Sequence, residues 1–485
     1  MHILGLIRIF ACLEGLRFLK QLGASPIPAD LESAIHALKA VFESESDIQL
    51  RPFRLLDKNG CILYHVAFTN KSSLQSQVLK PLLTAISDRF EDVLPVLSIE
   101  RVDTIELAAA ALLQGKCAIL LEGLEQTVLA DVSVSAGDSG SVPQNEQTIR
   151  GSHEGFVDDL FANRQLIRRR LETPDLTERS FVLGTKSPYH VSLLYISGLA
   201  DDAVVEQIST RIEAVTAKYV KSEGQIADIL ETSRWSLFPQ MLSTERPDTT
   251  VSHLMEGRIV VLADGNASAF ILPATFFMFF QVPDDFVLRW WNGSFFRFLR
   301  YISVLITVAL PSIYIAIVSN HFEVLPIDLV FSLKASLENI PFNPLIEALF
   351  MITVLELLRE AALRLPKAIA STLSIVGGLV IGTEVVNANL VSTTMIVVIA
   401  LTAVASFSIP SHEMRLALRL VSIPVMFAAV LLGFVGIAFS FSLLFMHLTK
   451  LETYGVPYFY PLTPLEPKRL WPAILQLPRK LFRRG

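Results

Sequence analysis

A charged helix within the apolar second half of the chain carries the residues best placed to do chemistry. In ELLREAALRLP (356–366), Glu356 and Arg359 are three residues apart, and Glu360 and Arg364 are four apart. Both spacings bring opposite charges onto one helical face. A charge at membrane depth costs about 3 kcal/mol or more, so such groups pair with each other or line a wet cavity. The pattern predicts either an ion pathway or gate, or a salt-bridge cluster that holds helices or subunits together.

For two further carboxylates and a glycine-rich run, the sequence leaves open the same choice between a pore and a structural role. One carboxylate precedes the charged pairs on the same helix, and the other lies near the interfacial end of the next apolar segment, where a structural role is favoured. The run SIVGGLVIG has a GxxxG spacing that allows close helix packing, and packing between subunits could build a pore. The candidate pore, gate or ion-pair residues are Glu347, Glu356, Arg359, Glu360, Arg364 and Glu384, and the candidate packing residues are Gly377, Gly378 and Gly382.

The sequence offers no residue set for catalysis or for a bound cofactor. Walker, HExxH and strand-linked GxGxxG motifs are absent. GDSG (137–140) is similar to a serine-protease nucleophile motif, but it lies in a polar segment without the histidine and aspartate context that the mechanism needs. The 3 cysteines are widely spaced and form no CxxC pair. We therefore expect no enzyme, no metal site and no cofactor.

The elements that position these residues follow from the uneven composition. The chain of 485 residues is 52% hydrophobic and 18% charged, which is low in charge for a soluble protein. Residues 301–320 and 420–446 carry no charge, and 368–411 carry only Glu384, whereas charges recur every few positions up to about 290. Apolar stretches of this length belong in lipid, which excludes a wholly soluble enzyme. The predicted fold is a membrane protein with a two-lobed cytoplasmic α/β domain followed by about 4–5 transmembrane helices.

The soluble half contains two segments of similar plan. LQGKCAILLEGLEQTVL and LMEGRIVVLADGNASAFIL each read as a glycine turn, a buried strand, a second glycine turn and another strand. A duplication is one explanation, and convergence of two strand–turn–strand units is the other. The predicted organisation is an amphipathic segment (1–29), a first lobe (30–130), a flexible linker (131–152), a second lobe (153–296), a transmembrane domain (297–447) and a basic tail (448–485).

The positions of basic residues predict the orientation of the apolar helices. Spans are expected at 300–320, 343–364, 368–388, 391–410 and 420–447. Arginine and lysine residues precede the first, third and last of them, which places the N-terminal domain in the cytoplasm. Five crossings would then leave the basic tail outside, so either 343–364 does not fully cross, which we favour, or 420–447 bends back at Gly433/Gly436.

The charge distribution predicts a lipid partner and excludes a nucleic-acid partner. The formal net charge is −6, and from residue 448 onward seven lysine and arginine residues face two glutamates. An acidic body argues against nucleic-acid binding. The basic tail is suited to anionic lipid headgroups, although a solvated end that only keeps the tail out of the membrane fits equally.

Several segments together resemble the A-subunit family of spore germination receptors, the GerA-type germinant receptors. The similarity runs in order from about residue 47 to the C-terminus. It is carried by EGFVDDLFANRQLIRRRLETPDL, FPQMLSTERPD, EGRIVVLADG, ELLREAALRLP, SIVGGLVIG, ASFSIP and YGVPYFYPLTP. The resemblance implies a spore inner-membrane protein with a two-lobed α/β domain and no catalytic residues.

The resemblance also implies partners and an activity. Family members act with a transporter-like B subunit and a lipoprotein C subunit, and the A subunit is thought to form a homo-oligomeric channel whose opening releases ions at germination. The alternatives are a secondary transporter and a membrane-anchored ligand-binding enzyme. A transporter would show more spans or a repeat in the membrane half, and an enzyme would show convergent histidine, cysteine or carboxylate residues.

Overall fold

The computed structural model of the chain contains two compact units. One unit comprises residues up to 273 apart from 149–151 and 231–242, and the other comprises those two segments and residues 274 onward. The described residues are 25–42, 48–56, 58–66, 68–85, 90–95, 99–124, 126–133, 141–143, 145–146, 148, 150–171, 173–184, 187–215, 222–338, 340–366, 369, 375, 377–378 and 382–476. Most of the amphipathic segment, GDSG, about half of the span at 368–388 and the last basic residues therefore lie outside the described chain.

The first lobe is a five-stranded antiparallel sheet with helices on both faces. Its strand order is β1-β2-β4-β5-β3. Neighbouring side chains on the central strand KCAILL point to opposite faces, and both faces are covered, which explains its unbroken apolar run. The strands are β1 Ile48–Leu55, β2 Lys58–His65, β3 Ile99–Val102, β4 Lys116–Leu121 and β5 Thr127–Asp131. The helices are α1 Leu31–Lys39, α2 (Lys71–Ser73, the π-helical Leu74–Leu79 and Lys80–Leu83), α3 Phe90–Val93 and α4 Ile105–Leu113.

The second lobe repeats this topology. Its strand order is β6-β7-β9-β10-β8, which is the order of the first sheet shifted by five strands. The strands are β6 Leu176–Leu183, β7 Tyr189–Ile196, β8 Leu242–Thr244, β9 Ile259–Ala263 and β10 Ala269–Leu272. The helices are α5 Leu160–Arg170, α6 Asp202–Glu213, α7 Glu223–Leu230 and α8 Pro247–Leu254. The prediction of α/β architecture in the soluble half is confirmed, and equal strand orders are what a duplication produces.

Equivalent glycines make the same turns in the two lobes. Gly115 has φ +85 ahead of β4, and Gly257 has φ +80 ahead of β9. A Cβ at either position would approach a backbone oxygen to 2.6 Å. Gly123 and Gly265 have φ +81 and +70 in the following hairpins. Left-handed backbone favours glycine, so the repeated glycine spacing reflects repeated turn geometry.

The second unit is mainly helical. Its helices are α9 Pro283–Val287, α10 Trp290–Asn320, α11 Ile327–Leu337, α12 Pro344–Arg364, α13 Gly382–Asn387, α14 Thr393–Phe407, α15 His412–Lys450 and α16 Pro467–Ile474, with 3-10 turns at Phe276–Phe280 and Phe322–Val324 and a small hairpin of β11 Glu452–Thr453 and β12 Val456–Pro457. Among the described residues, α10 and α15 are long and apolar enough to cross a membrane. Helix α14 has 15 residues, about 22 Å, which is shorter than a bilayer core of about 30 Å. The number of crossings stays a prediction.

Residues 274–296 belong to the helical unit, whereas the predicted second lobe extends to residue 296. The reason is an aromatic cluster in which these residues pack against residues near the end of the chain. The Phe276 ring lies 5.3 Å from Phe459, the Phe277 ring stacks on Phe459 at 5.7 Å, and the Phe276 N–H donates to the Tyr458 carbonyl at 2.8 Å. Residues after α15 therefore fold back onto the segment that precedes α10.

Candidate functional site

A buried carboxylate lies where three apolar helices meet. Glu347, in the first turn of α12, has no exposed surface. Its Oε2 accepts the backbone N–H of Ser392, the N-cap of α14, at 2.8 Å. The Ser392 hydroxyl is 3.3 Å from Tyr314 OH on α10. The positive end of the α14 dipole favours an anion at this point.

The other oxygen of Glu347 has no compensation. Oε1 is buried and lacks a hydrogen-bond partner among the described residues. Leaving a polar atom buried without a partner costs free energy, and the cost is larger for a charged group. No cation is paired with Glu347 in the described part of the chain, so a small change of helix packing that admits water or a cation would relieve this cost.

A second charged site joins α12 to α15. Glu356 accepts from Arg359 Nη1 at 2.9 Å on its own helix, and the same Oε1 accepts from Arg419 Nη1 on α15. The Arg359 guanidinium also lies 5.2 Å from the centre of the Phe407 ring on α14. The predicted pair of Glu356 and Arg359 is present, and the spacing gave no signal for Arg419, which is 63 residues away.

The remaining predicted residues do not converge on these two sites. Glu360 accepts from Arg364 Nε at 2.8 Å, and both side chains are more than half exposed. Glu384 is exposed on α13. A Cβ on Gly377 would lie 2.7 Å from Leu358, and one on Gly378 or Gly382 would meet no atom within 4 Å. Gly377 is thus in close contact with α12, and the pore and packing roles stay predictions.

A buried arginine–aspartate cluster, which is not among the predicted site residues, fixes the start of α10. Asp285 is fully buried and binds Arg300 through two bonds of 2.7 and 2.8 Å. Arg297, 1% exposed, approaches the same carboxylate at 3.3 Å and donates to the Pro472 carbonyl at 2.8 Å. The sequence predicts only an orientation role for the basic residues before the first span, because spacing gives no signal for an acidic partner up to 15 residues earlier.

The long helix α15 is broken at Gly433, one of the two positions named for a bend. Gly433 has φ 58 and ψ −136. A Cβ on Gly436 would lie 2.1 Å from the Ala428 oxygen, whereas residues eight apart in a straight helix are separated by about 12 Å along the axis. Asn320 Nδ2, at the end of α10, donates to the Ala429 and Val430 carbonyls at 3.1 Å each. Asn320 therefore supplies a side-chain donor to two backbone carbonyls just before the break.

In the first unit, Arg246 binds part of the predicted linker to the second lobe. Arg246 is 1% exposed and binds Asp248 through two bonds of 2.6 and 3.0 Å. It also donates to Thr148 Oγ1 at 3.1 Å and to the Ser152 carbonyl at 3.0 Å. The described end of the linker is thus held on the lobe, and flexibility of its other residues stays a prediction.

A neighbouring carboxyl in the same network is perturbed. Burial raises the pKa of Glu146 to about 7, and the nearby Glu245 charge acts in the same direction. Thr244 Oγ1 donates to Glu146 at 2.6 Å, which favours the ionised form without overcoming the effect of burial.

The arginine run on α5 makes ion pairs within the second lobe. Arg164 and Arg168 contact Glu178, and Arg170 contacts Glu154 at 2.6 Å. A phosphate or lipid site is therefore not needed to explain these charges. The described residues also contain no group of three or more histidine, cysteine, aspartate or glutamate side chains that could hold a metal ion.

Comparison with known proteins agrees with the motif set. The family model described as Bacillus/Clostridium GerA spore germination protein matches residues 36–484. An uncharacterized membrane protein, YfkQ of Bacillus subtilis, is 34% identical over 91% of this chain and 88% of that protein. Spore germination protein B1 of the same organism is 34% identical over 94% of this chain and 97% of that protein.

A solved structure gives a weaker match. It is the N-terminal domain of the A subunit of the Bacillus megaterium spore germinant receptor GerK3, with a TM-score of 0.38 and 22% identity over 52% of this chain and 98% of that chain. The family model, by contrast, extends through both the soluble lobes and the apolar helices, and two relatives above 30% identity cover most of the chain. On this evidence the chain belongs to the GerA family of spore germination proteins.

Proposed function

We propose that this chain is the A subunit of a nutrient germinant receptor in the spore inner membrane. In this role it transmits the nutrient signal and forms an oligomeric ion channel that opens at germination. The observation that supports the receptor role is the family match over residues 36–484, which includes the apolar half as well as the soluble lobes. The receptor would also contain a transporter-like B subunit and a lipoprotein C subunit, with the N-terminal domain in the cytoplasm.

The channel part of the proposal rests on Glu347. A buried carboxylate with one uncompensated oxygen, held between α10, α12 and α14, is expensive inside an apolar bundle unless the site opens to water or ions. The break at Gly433 supports the same role, because irregular backbone at membrane depth occurs where it is covered by protein or lines a wet cavity. We assign Glu347 to the gate and Glu356, Arg359 and Arg419 to the ion pairs that hold the surrounding helices.

Reconstitution of the full chain tests the channel. The purified chain in liposomes, with and without the B and C subunits and nutrient, should conduct ions, and E347A should change conductance or selectivity. E360A is the matched control, because Glu360 pairs only with an exposed arginine on its own helix. Solute accumulation without ion conductance would favour the transporter, and turnover of a bound ligand would favour the enzyme. Either result would overturn the channel.

A further inference from the structure

All the tryptophans of the chain lie in the helical unit and are exposed. The chain has 4 tryptophans. Trp235 is 98% exposed, Trp290 36%, Trp291 67% and Trp471 56%. Tryptophan is rarely left in water to this extent, and it is enriched where membrane meets water, since its ring is apolar and its N–H is polar.

Two of the tryptophans begin the first long apolar helix. Trp290 and Trp291 are the first residues of α10 and stack on each other at 3.9 Å. The whole helix has 31 residues, with a mean hydropathy of 2.2 in its apolar window. An aromatic pair at the end of such a helix marks the depth of the lipid headgroups.

Trp235 reaches the same apolar unit from a loop. The neighbouring Ser236 hydroxyl lies 3.1 Å from His447 Nε2, and the Phe238 ring lies 6.1 Å from the His447 ring. His447 is in the last turn of α15. The loop is therefore held at the C-terminal end of the second long apolar helix, with Trp235 and Leu237 exposed beside it.

Trp471 lies on the short helix α16, which is bound to the start of α10. The Pro472 carbonyl accepts from Arg297, the Ala473 carbonyl accepts from Tyr301 OH at 3.1 Å, and Ser294 Oγ donates to the Gln476 carbonyl at 2.9 Å. These contacts span the second and third turns of α10. They leave the outer face of α16 exposed.

The exposed face around α16 combines apolar and cationic groups. Leu465 is 63% exposed and Trp471 56%. Lys468 and Arg469 lie between them on the chain and are exposed. Arg469 contacts Glu466 and Tyr460, whereas Lys468 makes no ion pair with any residue that the structure describes. Apolar and basic groups on one surface helix match an anionic bilayer surface.

We propose that Trp235, Trp290, Trp291 and Trp471, together with Lys468 and Arg469, form one interfacial band that binds anionic lipid headgroups. The occupant is the bilayer itself, because the band is continuous with the ends of the two long apolar helices. It follows that the start of α10 and the end of α15 lie at the same face of the membrane. The chain then crosses an even number of times between Trp290 and Lys450, which removes the conflict between five crossings and a basic tail.

Tryptophan fluorescence of the full chain tests the band. Variants that retain only Trp235, the Trp290/Trp291 pair or Trp471, with the others changed to Phe, are reconstituted in phosphatidylglycerol/phosphatidylcholine vesicles. Each should emit at shorter wavelength than indole in water, be protected from acrylamide, and be quenched most by lipids brominated near the headgroup end of the acyl chain. Full acrylamide quenching of Trp235 without bromolipid quenching would overturn the assignment of Trp235 to the interfacial band.

Charge and sidedness supply two further measurements. In the Trp471 variant, protection from acrylamide should be stronger in phosphatidylglycerol than in pure phosphatidylcholine, and K468Q/R469Q should abolish that difference. R51Q/K58Q, two exposed basic residues in the first lobe, is the matched control. In a chain without native cysteines, N292C and K468C should react with an impermeant maleimide from the same side, and labelling from opposite sides would refute the even number of crossings.

Discussion

The contact between Glu356 and Arg419 gives the sharpest test of the helical packing. Neutralising one partner with E356Q or R419Q removes an ion pair between α12 and α15 whose arginine is only 14% exposed and whose glutamate is 42% exposed. Two unit charges about 4 Å apart attract by about 4 kcal/mol at an effective dielectric of about 20, and exposed pairs retain about 0.2–1 kcal/mol. For this partly covered pair we expect a coupling energy of about 2 kcal/mol.

The assay is a double-mutant cycle on the purified full chain in detergent. Unfolding free energies of the wild type, E356Q, R419Q and the double variant isolate the coupling, provided that Arg359 is unchanged. The matched cycle on Glu360 and Arg364, an exposed pair within one helix, should give about 0.3–0.5 kcal/mol. Equal coupling in both cycles, or none between Glu356 and Arg419, would refute the packing of α12 against α15.

Three further outcomes follow from the structure. Because the pKa of Glu146 is raised to about 7, the folded state holds a proton that the unfolded state releases near pH 4.5. The free energy of unfolding should therefore fall by up to about 3 kcal/mol as pH rises from 5 to 8. Denaturant titrations at several pH values measure this dependence, and E146Q should flatten it. R246K should cost about 3 kcal/mol in the same titrations, since a single ammonium cannot replace the two bonds to Asp248; a cost below about 1 kcal/mol would contradict this. G433A should lower the apparent melting temperature, because its Cβ would lie 2.3 Å from the His321 ring at positive φ, whereas G378A, with open space, should not.

Local patterns predicted much of the fold. The glycine spacing around the KCAILL and RIVVLADG segments indicated equivalent turns, and Gly115 and Gly257 adopt the same positive φ. The three-residue spacing of Glu356 and Arg359 predicted their ion pair, because helix geometry alone places them together. The bend at Gly433 was also visible as an alternative, since glycine in an apolar helix tolerates a break.

Long-range contacts could not be read from spacing. Ser392 meets Glu347 across 45 residues, and Arg419 meets Glu356 across 63. Both depend on how helices pack, for which a single sequence gives no signal. Phe276 in the aromatic run FFMFF packs on Tyr458 and Phe459 near the end of the chain, a contact that spacing does not predict. The unit boundary at residue 274 follows from that packing and not from composition.

Nutrient-triggered ion release from spores that lack this chain tests the receptor role most directly. Spores of a strain without paralogues, with the chain deleted or restored, would be exposed to nutrient while released ions are measured. Release should be lost on deletion and return with the wild-type chain. Release at the normal rate from the deleted spores would contradict the assignment of this chain to the germinant receptor.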